Sequence, residues 1–185
     1  MARRISRGGG IEGYRDRALL PKLGAVVPHG PVVLDTNVFI DALAGRGPKA
    51  LQQLLEALPR AFVAAPTRAE LAWVRGRLDP EHPGTARVVA EYNALLSRIE
   101  PTKVLIPSDE DWLAAGELAG RAARAIAGGS RRLATAFDRT ELISDALAAV
   151  LARAGAFTVV TADADFDVLA RLLPGLDVLF YDRAP

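Results

Sequence analysis

Five short aliphatic runs, separated by segments with helical periodicity, are the feature that most constrains the fold of this chain. The runs lie at 32–34, 61–66, 102–107, 158–160 and 178–181. Short apolar strands that alternate with helices are typical of crossover units, in which helices cover both faces of a parallel sheet. We therefore predict an α/β protein: a three-layer α/β/α sandwich around a central, mostly parallel sheet of about five strands.

The segments between these runs carry apolar residues at helical spacing, together with start and stop signals. Pro48 can open a helix, Ser108 can cap one, and Gly155 can end one. The predicted helices cover 38–43, 48–58, 68–77, 85–99, 108–122, 140–154 and 166–173. No internal repeat interrupts this pattern, so we expect a single globular domain.

The composition restricts the chemistry that such a domain can perform. The chain has no cysteine and two histidines, which excludes disulfides, thiolate metal sites and cysteine nucleophiles. His29 and His82 stand beside proline in turn-like segments, where a plain loop role is favoured over a metal or catalytic one. The apolar runs are too short for a membrane helix, and no signal peptide is visible. We expect a soluble, cytoplasmic protein without membrane contact that works through oxygen ligands.

The basic residues are almost all arginine, although the net charge is only +1. Arginine offers a planar fork of donors that suits phosphate, while codon bias in an alanine-rich and arginine-rich chain is an equal alternative. The first 17 residues, "MARRISRGGGIEGYRDR", combine arginine with glycine and lack an apolar period. We predict that residues 1–30 form a basic, flexible arm and that 31–185 form the domain.

Two acidic residues follow the first two predicted strands. Asp35 ends the first strand in "LDTN", and Glu70 follows the second in "PTRAEL". Each has an ordinary structural explanation, because Asp35 can cap the next helix and Thr67 can form a capping box with Glu70. Taken singly, neither acid indicates a function.

The last third of the chain supplies three more acids. Asp145 lies on a predicted helix beside alanines and away from the bulky apolar stripe, so it is either solvated or close to a neighbouring backbone. Asp163 and Asp165 stand where the fourth strand gives way to the last helix. We assign Asp165 as the cap of that helix, which leaves Asp163 without a structural explanation.

The geometry of a parallel sheet predicts that these acids converge. The carboxyl ends of parallel strands form one edge, where ligand sites are built, and the helix that carries Asp145 begins near that edge. Converging carboxylates repel one another, and a hard divalent cation such as Mg²⁺ or Mn²⁺ is their natural partner. Such a site can activate water for attack on a phosphodiester.

The four acid-bearing segments also match a known pattern. In order, "VVLDTNVFIDAL", "PTRAEL", "ELISDALAAVLA" and "TVVTADADF" resemble the PIN-domain ribonucleases, most closely the VapC-like toxins of type II toxin–antitoxin systems. The likeness covers roughly residues 31–182 and includes "VLIPSDEDWLAAGELA". It implies a PIN-like fold and a Mg²⁺-dependent endoribonuclease that uses a metal-activated water, with Mn²⁺ also possible.

The resemblance assigns roles to individual residues. The family's acidic quartet falls on Asp35, Glu70, Asp145 and Asp163, and Asp165 is an alternative for the fourth acid. By this likeness the metal ligands are Asp35, Asp145 and Asp163, while Glu70 completes the pocket and helps to position the water. The residues that would support these carboxylates are Thr36, Asn37, Thr161 and Asp165.

The resemblance also implies partners: an RNA substrate, a small antitoxin that blocks the pocket, and a second copy in a homodimer. From the sequence itself we infer that arginines just before the third acid steer the RNA backbone, with a solvated basic surface as the alternative. These are Arg121, Arg124, Arg131, Arg132 and Arg139.

Other functions stay open at this stage. The chain could be a PIN nuclease without an antitoxin, or a catalytically silent PIN-fold subunit that binds RNA or forms a complex. A phosphatase of the haloacid dehalogenase type also places a nucleophilic aspartate after its first strand. That chemistry needs a second acid two residues later, where this chain has Asn37.

Overall fold

The strands pair in parallel throughout the sheet. The computed structural model describes residues 13–26, 28, 30–56, 61–127 and 136–183, with the backbone alone for 136–138. Its strands are β1 (Val32–Leu34), β2 (Val63–Ala64), β3 (Val104–Leu105), β4 (Thr158–Thr161) and β5 (Asp177–Phe180). Strands β1, β4 and β5 pair in that order, β2 pairs with β3, and a parallel bridge between Val33 and Phe62 joins the two groups. The order is therefore β3-β2-β1-β4-β5.

Helices cover both faces of this sheet. They are α1 (Thr36–Leu43), α2 (Lys49–Glu56), α3 (Ala65–Gly76), α4 (Thr85–Ser97), α5 (Asp109–Ile126), α6 (Ala136–Ala154) and α7 (Asp165–Leu172). Val33 of β1 packs into the core built with α5, α6 and α7. Its neighbours Val32 and Leu34 pack into the core built with α1 to α4. Successive side chains of a strand point to opposite faces, so the predicted three-layer sandwich is confirmed.

The start of α3 differs from the prediction. This helix begins at Ala65 rather than at 68, because Pro66 fits the first turn of a helix instead of closing the strand. Thr67 is consequently buried inside α3. The predicted capping box between Thr67 and Glu70 is wrong, and Glu70 is left free for another role.

The two longest helices, α5 and α6, pack against each other on one face. The predicted cap of α5 is confirmed. The Ser108 hydroxyl accepts from the Asp111 backbone N–H at 3.2 Å, and the Asp111 carboxylate accepts from the Ser108 backbone N–H at 2.8 Å. Helix α6 begins at Ala136, earlier than predicted. None of the described helices is long and apolar enough to cross a membrane.

Residues 13–26 belong to the folded body, contrary to the prediction of a flexible arm over 1–30. Lys22 forms a parallel bridge with Phe180 of β5, and the flanking backbone bonds from Phe180 to Pro21 and from Leu23 to Phe180 are both 2.8 Å. Leu20 is buried in the core beside α5 and β5. The glycine and arginine content concealed this packing, because the pairing is with a strand far away in sequence. Residues 1–12 and His29 lie outside the described residues.

Candidate active site

Asp35 stands at the carboxyl end of β1, where the chain turns into α1. Its side chain is only 6% exposed. One carboxylate oxygen accepts from the Thr36 backbone N–H at 2.6 Å, so the expected helix cap is present. The other accepts from the Thr161 hydroxyl at 2.6 Å. Because β1 and β4 are neighbours, the tip of one strand fixes the acid at the tip of the other.

Thr161 and Asn37 tie the β4–α7 connection to α1. The Thr161 hydroxyl oxygen accepts from the Asp163 backbone N–H at 2.8 Å and lies 3.3 Å from Asn37 Nδ2. Asn37 Oδ1 accepts from the Ala162 backbone N–H at 3.1 Å. Thr161 thus contacts a carboxylate directly, whereas Asn37 acts by holding the backbone that presents Asp163.

Glu70 and Asp145 reach the same edge from two helices. The Thr36 hydroxyl donates to the Glu70 carboxylate, which fixes the second turn of α3 against the first turn of α1. Asp145, on α6, is partly buried, and the charges of Asp35, Asp163 and Glu70 act on it. The early start of α3 therefore does not remove Glu70 from the site.

Burial and mutual repulsion control the electrostatics here. Burial, together with the charges of Asp163 and Glu70, raises the pKa of Asp35 to about 7, against the opposing hydrogen bonds from Thr161 and Thr36. Burial also raises the pKa of Asp145 well above its ordinary value. The negative charges of Asp35, Asp163, Glu70 and Asp165 raise it as well, with smaller effects. The five acids therefore lie within range of one another's charges at this edge of the sheet.

We predicted that Asp165 caps the last helix, but in the structure Asp163 takes that place at the start of α7. Asp163 Oδ1 accepts from the Asp165 backbone N–H at 2.9 Å, so Asp163 and not Asp165 supplies the turn that opens α7. Asp165 instead accepts from the Tyr14 hydroxyl at 2.6 Å. Burial, this hydrogen bond and the charges of Asp165 and Asp163 raise the pKa of Tyr14.

The donor set suits a hard cation. The converging side chains are carboxylates, whose oxygens are the ligands that Mg²⁺ and Mn²⁺ take in proteins. Among the described residues, no three acidic or histidine side chains are yet close enough to enclose an ion. A bound cation would therefore have to draw these carboxylates closer together.

Of the predicted RNA-binding arginines, the structure places Arg121 away from this edge. Arg121 donates to the Leu172 carbonyl at 3.1 Å, at the end of α7 remote from the acids, because α7 begins beside them. Arg139 lies near the start of α6 and is exposed. Arg131 and Arg132 lie outside the described residues, and Arg124 stands in the last turn of α5.

Sequence reasoning missed a second charged cluster beside the acids. Asp41, fully buried on α1, accepts from the Tyr181 hydroxyl at 2.9 Å and from Arg183 Nε at 2.7 Å. Arg46 Nη2 lies 2.8 Å from its other oxygen. The Tyr181 hydroxyl is also 3.1 Å from Asn37 Oδ1, which links this cluster to the site. A signal was present in the charge of Asp41 inside the apolar "VFIDAL", but its partners come from the far end of the chain.

Comparison with known proteins decides the family. The sequence pattern of the PIN domain matches residues 32–172, more than half of the chain. The chain belongs to the PIN domain family. The resemblance in the four acid-bearing segments is thereby confirmed, and this family is one of nucleases.

Solved structures share the PIN fold at low sequence identity. VapBC2 from Rickettsia felis, bound to a promoter DNA fragment, aligns at a TM-score of 0.55 with 20% identity, over 82% of this chain and 98% of that chain. FitAcB from Neisseria gonorrhoeae aligns at a TM-score of 0.56 with 20% identity, over 80% of this chain and 96% of that chain. VapBC-5 from Mycobacterium tuberculosis aligns at a TM-score of 0.51 with 24% identity, over 82% of this chain and 98% of that chain. No curated protein matches the chain by sequence.

Proposed function

We propose that this PIN domain is a divalent-metal-dependent endoribonuclease, with Mg²⁺ as the expected ion and Mn²⁺ as an alternative. The observation that carries the proposal is that acids from β1, α3, α6 and the β4–α7 connection share one edge of the sheet. Their charges raise the pKa values of Asp35 and Asp145. A cation held by these oxygens would relieve that repulsion.

The position of each acid suggests its role in the proposed reaction. Asp35, Asp145 and Asp163 would hold the ion, which when bound lowers the pKa of a water and offsets charge on the phosphodiester. Asp35 is suited to this role because the Thr36 N–H and the Thr161 hydroxyl fix both of its oxygens. The carboxylate of Glu70, anchored by the Thr36 hydroxyl, would orient the attacking water and accept its proton.

Removal of one metal-binding acid at a time tests this proposal. We expect the wild-type protein to cleave RNA in Mg²⁺ and to stop in EDTA, and Asp35→Asn or Asp145→Asn to lose activity by about 100-fold or more. Asp177→Asn is the matched control, because Asp177 is exposed at the amino end of β5, the opposite edge of the sheet. Metal-dependent cleavage retained by both Asn variants would sink the proposal. RNA binding that chelator does not alter, with no product from any RNA, would favour a silent subunit.

Asp163 rather than Asp165 is our choice for the fourth acid. The charge of Asp163 raises the pKa values of both Asp35 and Asp145. Asp165 has the smallest effect on the pKa of Asp145, and its carboxylate accepts a hydrogen bond from the Tyr14 hydroxyl. We expect Asp163→Asn to reduce cleavage by about 100-fold or more and Asp165→Asn to reduce it much less. Cleavage rates at saturating Mg²⁺ check this, and the reverse order would move the assignment to Asp165.

We further propose that the chain is the toxin of a toxin–antitoxin pair in the cytoplasm. The support is family membership and a fold shared with VapBC-5, described as a toxin–antitoxin system. Induction in cells should arrest growth, and co-expression of the product of the adjacent upstream reading frame should relieve the arrest. Growth arrest that Asp35→Asn still causes would contradict a nuclease toxin.

A homodimer is part of the same proposal. The apolar faces of α2 and α4 pack against the core and are not available for this contact. Large exposed apolar side chains remain at Trp73, Ile106, Trp112 and Leu113. Light scattering of the purified protein measures the mass directly, and a mass of one chain at micromolar concentration would exclude a stable dimer.

A further inference from the structure

Two arginines converge on one buried carboxylate at the border of the candidate site. Asp41 is fully buried, with Arg183 Nε 2.7 Å from one oxygen and Arg46 Nη2 2.8 Å from the other. A buried carboxylate needs one compensating charge, and the Tyr181 hydroxyl already supplies a neutral donor. The second arginine therefore leaves the cluster with a surplus of positive charge.

Both arginines remain available to solvent. Their side chains are 47% exposed in Arg46 and 51% exposed in Arg183. The contact of Arg46 is loosely aligned, since Asp41 Oδ1 accepts no well-directed hydrogen bond from any described residue. Arg183 contacts Asp41 through Nε, so the terminal nitrogens of its fork point elsewhere. Each arginine can thus bind a second anion without giving up Asp41.

The pair lies beside the acidic quartet. Arg183 follows β5, and its position is at the same carboxyl edge as Asp35 and Asp163. Polar contacts by way of Tyr181, Asn37 and Thr161 lead from Asp41 to Asp35, although the single Tyr181 hydroxyl proton can serve only one of its two acceptors at a time. The charge of Asp163 is felt at Arg183. Six residues of helix separate Asp35 from Asp41, which is about 9 Å along the axis.

We propose that Arg183 and Arg46 form a clamp for a backbone phosphate of the RNA strand, next to the phosphate that is cleaved. Guanidinium groups bind phosphate through paired, charge-assisted hydrogen bonds. Asp41 orients Arg183 through a hydrogen bond and keeps Arg46 nearby through an ion pair before the ligand arrives, which lowers the entropic cost of binding. The clamp also supplies the positive charge that a polyanion needs near a cluster of carboxylates. This inference rests on the proposed function.

Binding without cleavage isolates the clamp from the chemistry. The probe is a fluorescent 20-nucleotide oligouridine RNA, titrated with the full chain in EDTA at several salt concentrations between about 50 and 200 mM. We expect Arg183→Gln and Arg46→Gln each to weaken binding by about 10-fold or more. Each lost phosphate contact should reduce the slope of log affinity against log salt by about 0.7. Arg183→Lys should keep the slope and lose affinity, since it retains charge but not the fork.

Arg153→Gln is the matched control. Its guanidinium binds the Pro174 carbonyl at 3.0 Å, at the end of α6 remote from the acids. The clamp is refuted if the Arg183 and Arg46 variants match this control in affinity and slope. Melting temperatures are measured for all variants to check that each one folds. If Arg183→Gln does not fold, the single variants Arg183→Lys and Arg46→Gln are used for the test. Affinity lost without a change of slope in the Gln variants would also refute a phosphate contact.

The two proposals fail in different ways. If the wild-type protein cleaves RNA but the arginine variants bind normally, the clamp alone is wrong. If the wild-type protein binds RNA with the arginine-dependent slope but never cleaves, the nuclease function is wrong and the clamp stands. Absence of RNA binding by the wild-type protein would overturn the clamp, while cleavage measured separately in Mg²⁺ would still decide the function.

Discussion

Replacement of Asp35 by asparagine should stabilise the metal-free protein at neutral and alkaline pH. In the folded chain the pKa of Asp35 is about 7, against 3.8 in an unfolded chain. Between these two values the folded state holds a proton that the unfolded state has released, so stability falls as the pH rises from about 4 to about 7. Asp35→Asn removes the group that titrates and with it this loss.

The magnitude follows from the size of the shift. Each pKa unit corresponds to about 1.36 kcal/mol, so ionised Asp35 costs the folded state about 4 kcal/mol at pH 8. Asparagine keeps one acceptor for the Thr36 N–H, but its amide meets the Thr161 hydroxyl, and a poorer hydrogen bond there costs about 1 kcal/mol. The net gain is about 3 kcal/mol at pH 8 and falls below about 1 kcal/mol at pH 5.

Thermal unfolding in EDTA at pH 5 and pH 8 measures this difference. For a chain of this length, about 3 kcal/mol corresponds to a rise in Tm of roughly 6–12 °C. Asp177→Asn should stay within about 0.5 kcal/mol of the wild-type protein at both pH values, because Asp177 is exposed. Saturating Mg²⁺ should raise the Tm of the wild-type protein and much less that of Asp35→Asn. An Asp35→Asn protein that melts at or below the wild-type Tm at pH 8 would refute the reasoning.

Three further changes test the surroundings of the site. Thr161→Val removes a hydrogen bond that favours ionised Asp35, so the pKa of Asp35 should rise and the acidic limb of the pH–rate profile should move to higher pH. Asp167→Asn breaks a buried pair with Arg15 and Arg171 and should cost about 3 kcal/mol in urea unfolding, whereas Arg15→Gln should cost about 1 kcal/mol or less because that side chain is 43% exposed. Leu34→Ala should cost about 2–5 kcal/mol in the same assay without moving the site.

The parts of the fold that rest on short-range patterns were predictable. Strand β1 followed by Asp35, and β4 followed by Asp163, can be read from an apolar run that ends in an acid. Parallel pairing then forces such tips to one edge, whichever helices lie between them. This is why separate carboxylates with ordinary individual explanations could be placed in one site.

The parts that rest on long-range pairing were not predictable. Residues 13–26 read as a basic arm because the partner of Lys22 is Phe180, at the other end of the chain. Asp41 read as one polar position of a short helix because Arg183 and Tyr181 also come from that end. The start of α3 was misplaced for a local reason: Pro66 both ends a strand and opens a helix, and only packing decides between these.

The distribution of charge around the site supports the proposal that the quartet binds a cation. Cations do lie near this edge of the sheet, but within the described residues each ion pair there goes to an acid outside the quartet. The pairs are Arg15 and Arg171 with Asp167, Arg17 and Lys22 with Asp182, and Arg46 and Arg183 with Asp41. A protein that used Asp35 and Asp145 only for stability would gain by placing one of these cations between them. Acids that raise one another's pKa values and lack a basic partner among those residues are consistent with the proposed binding of a cation.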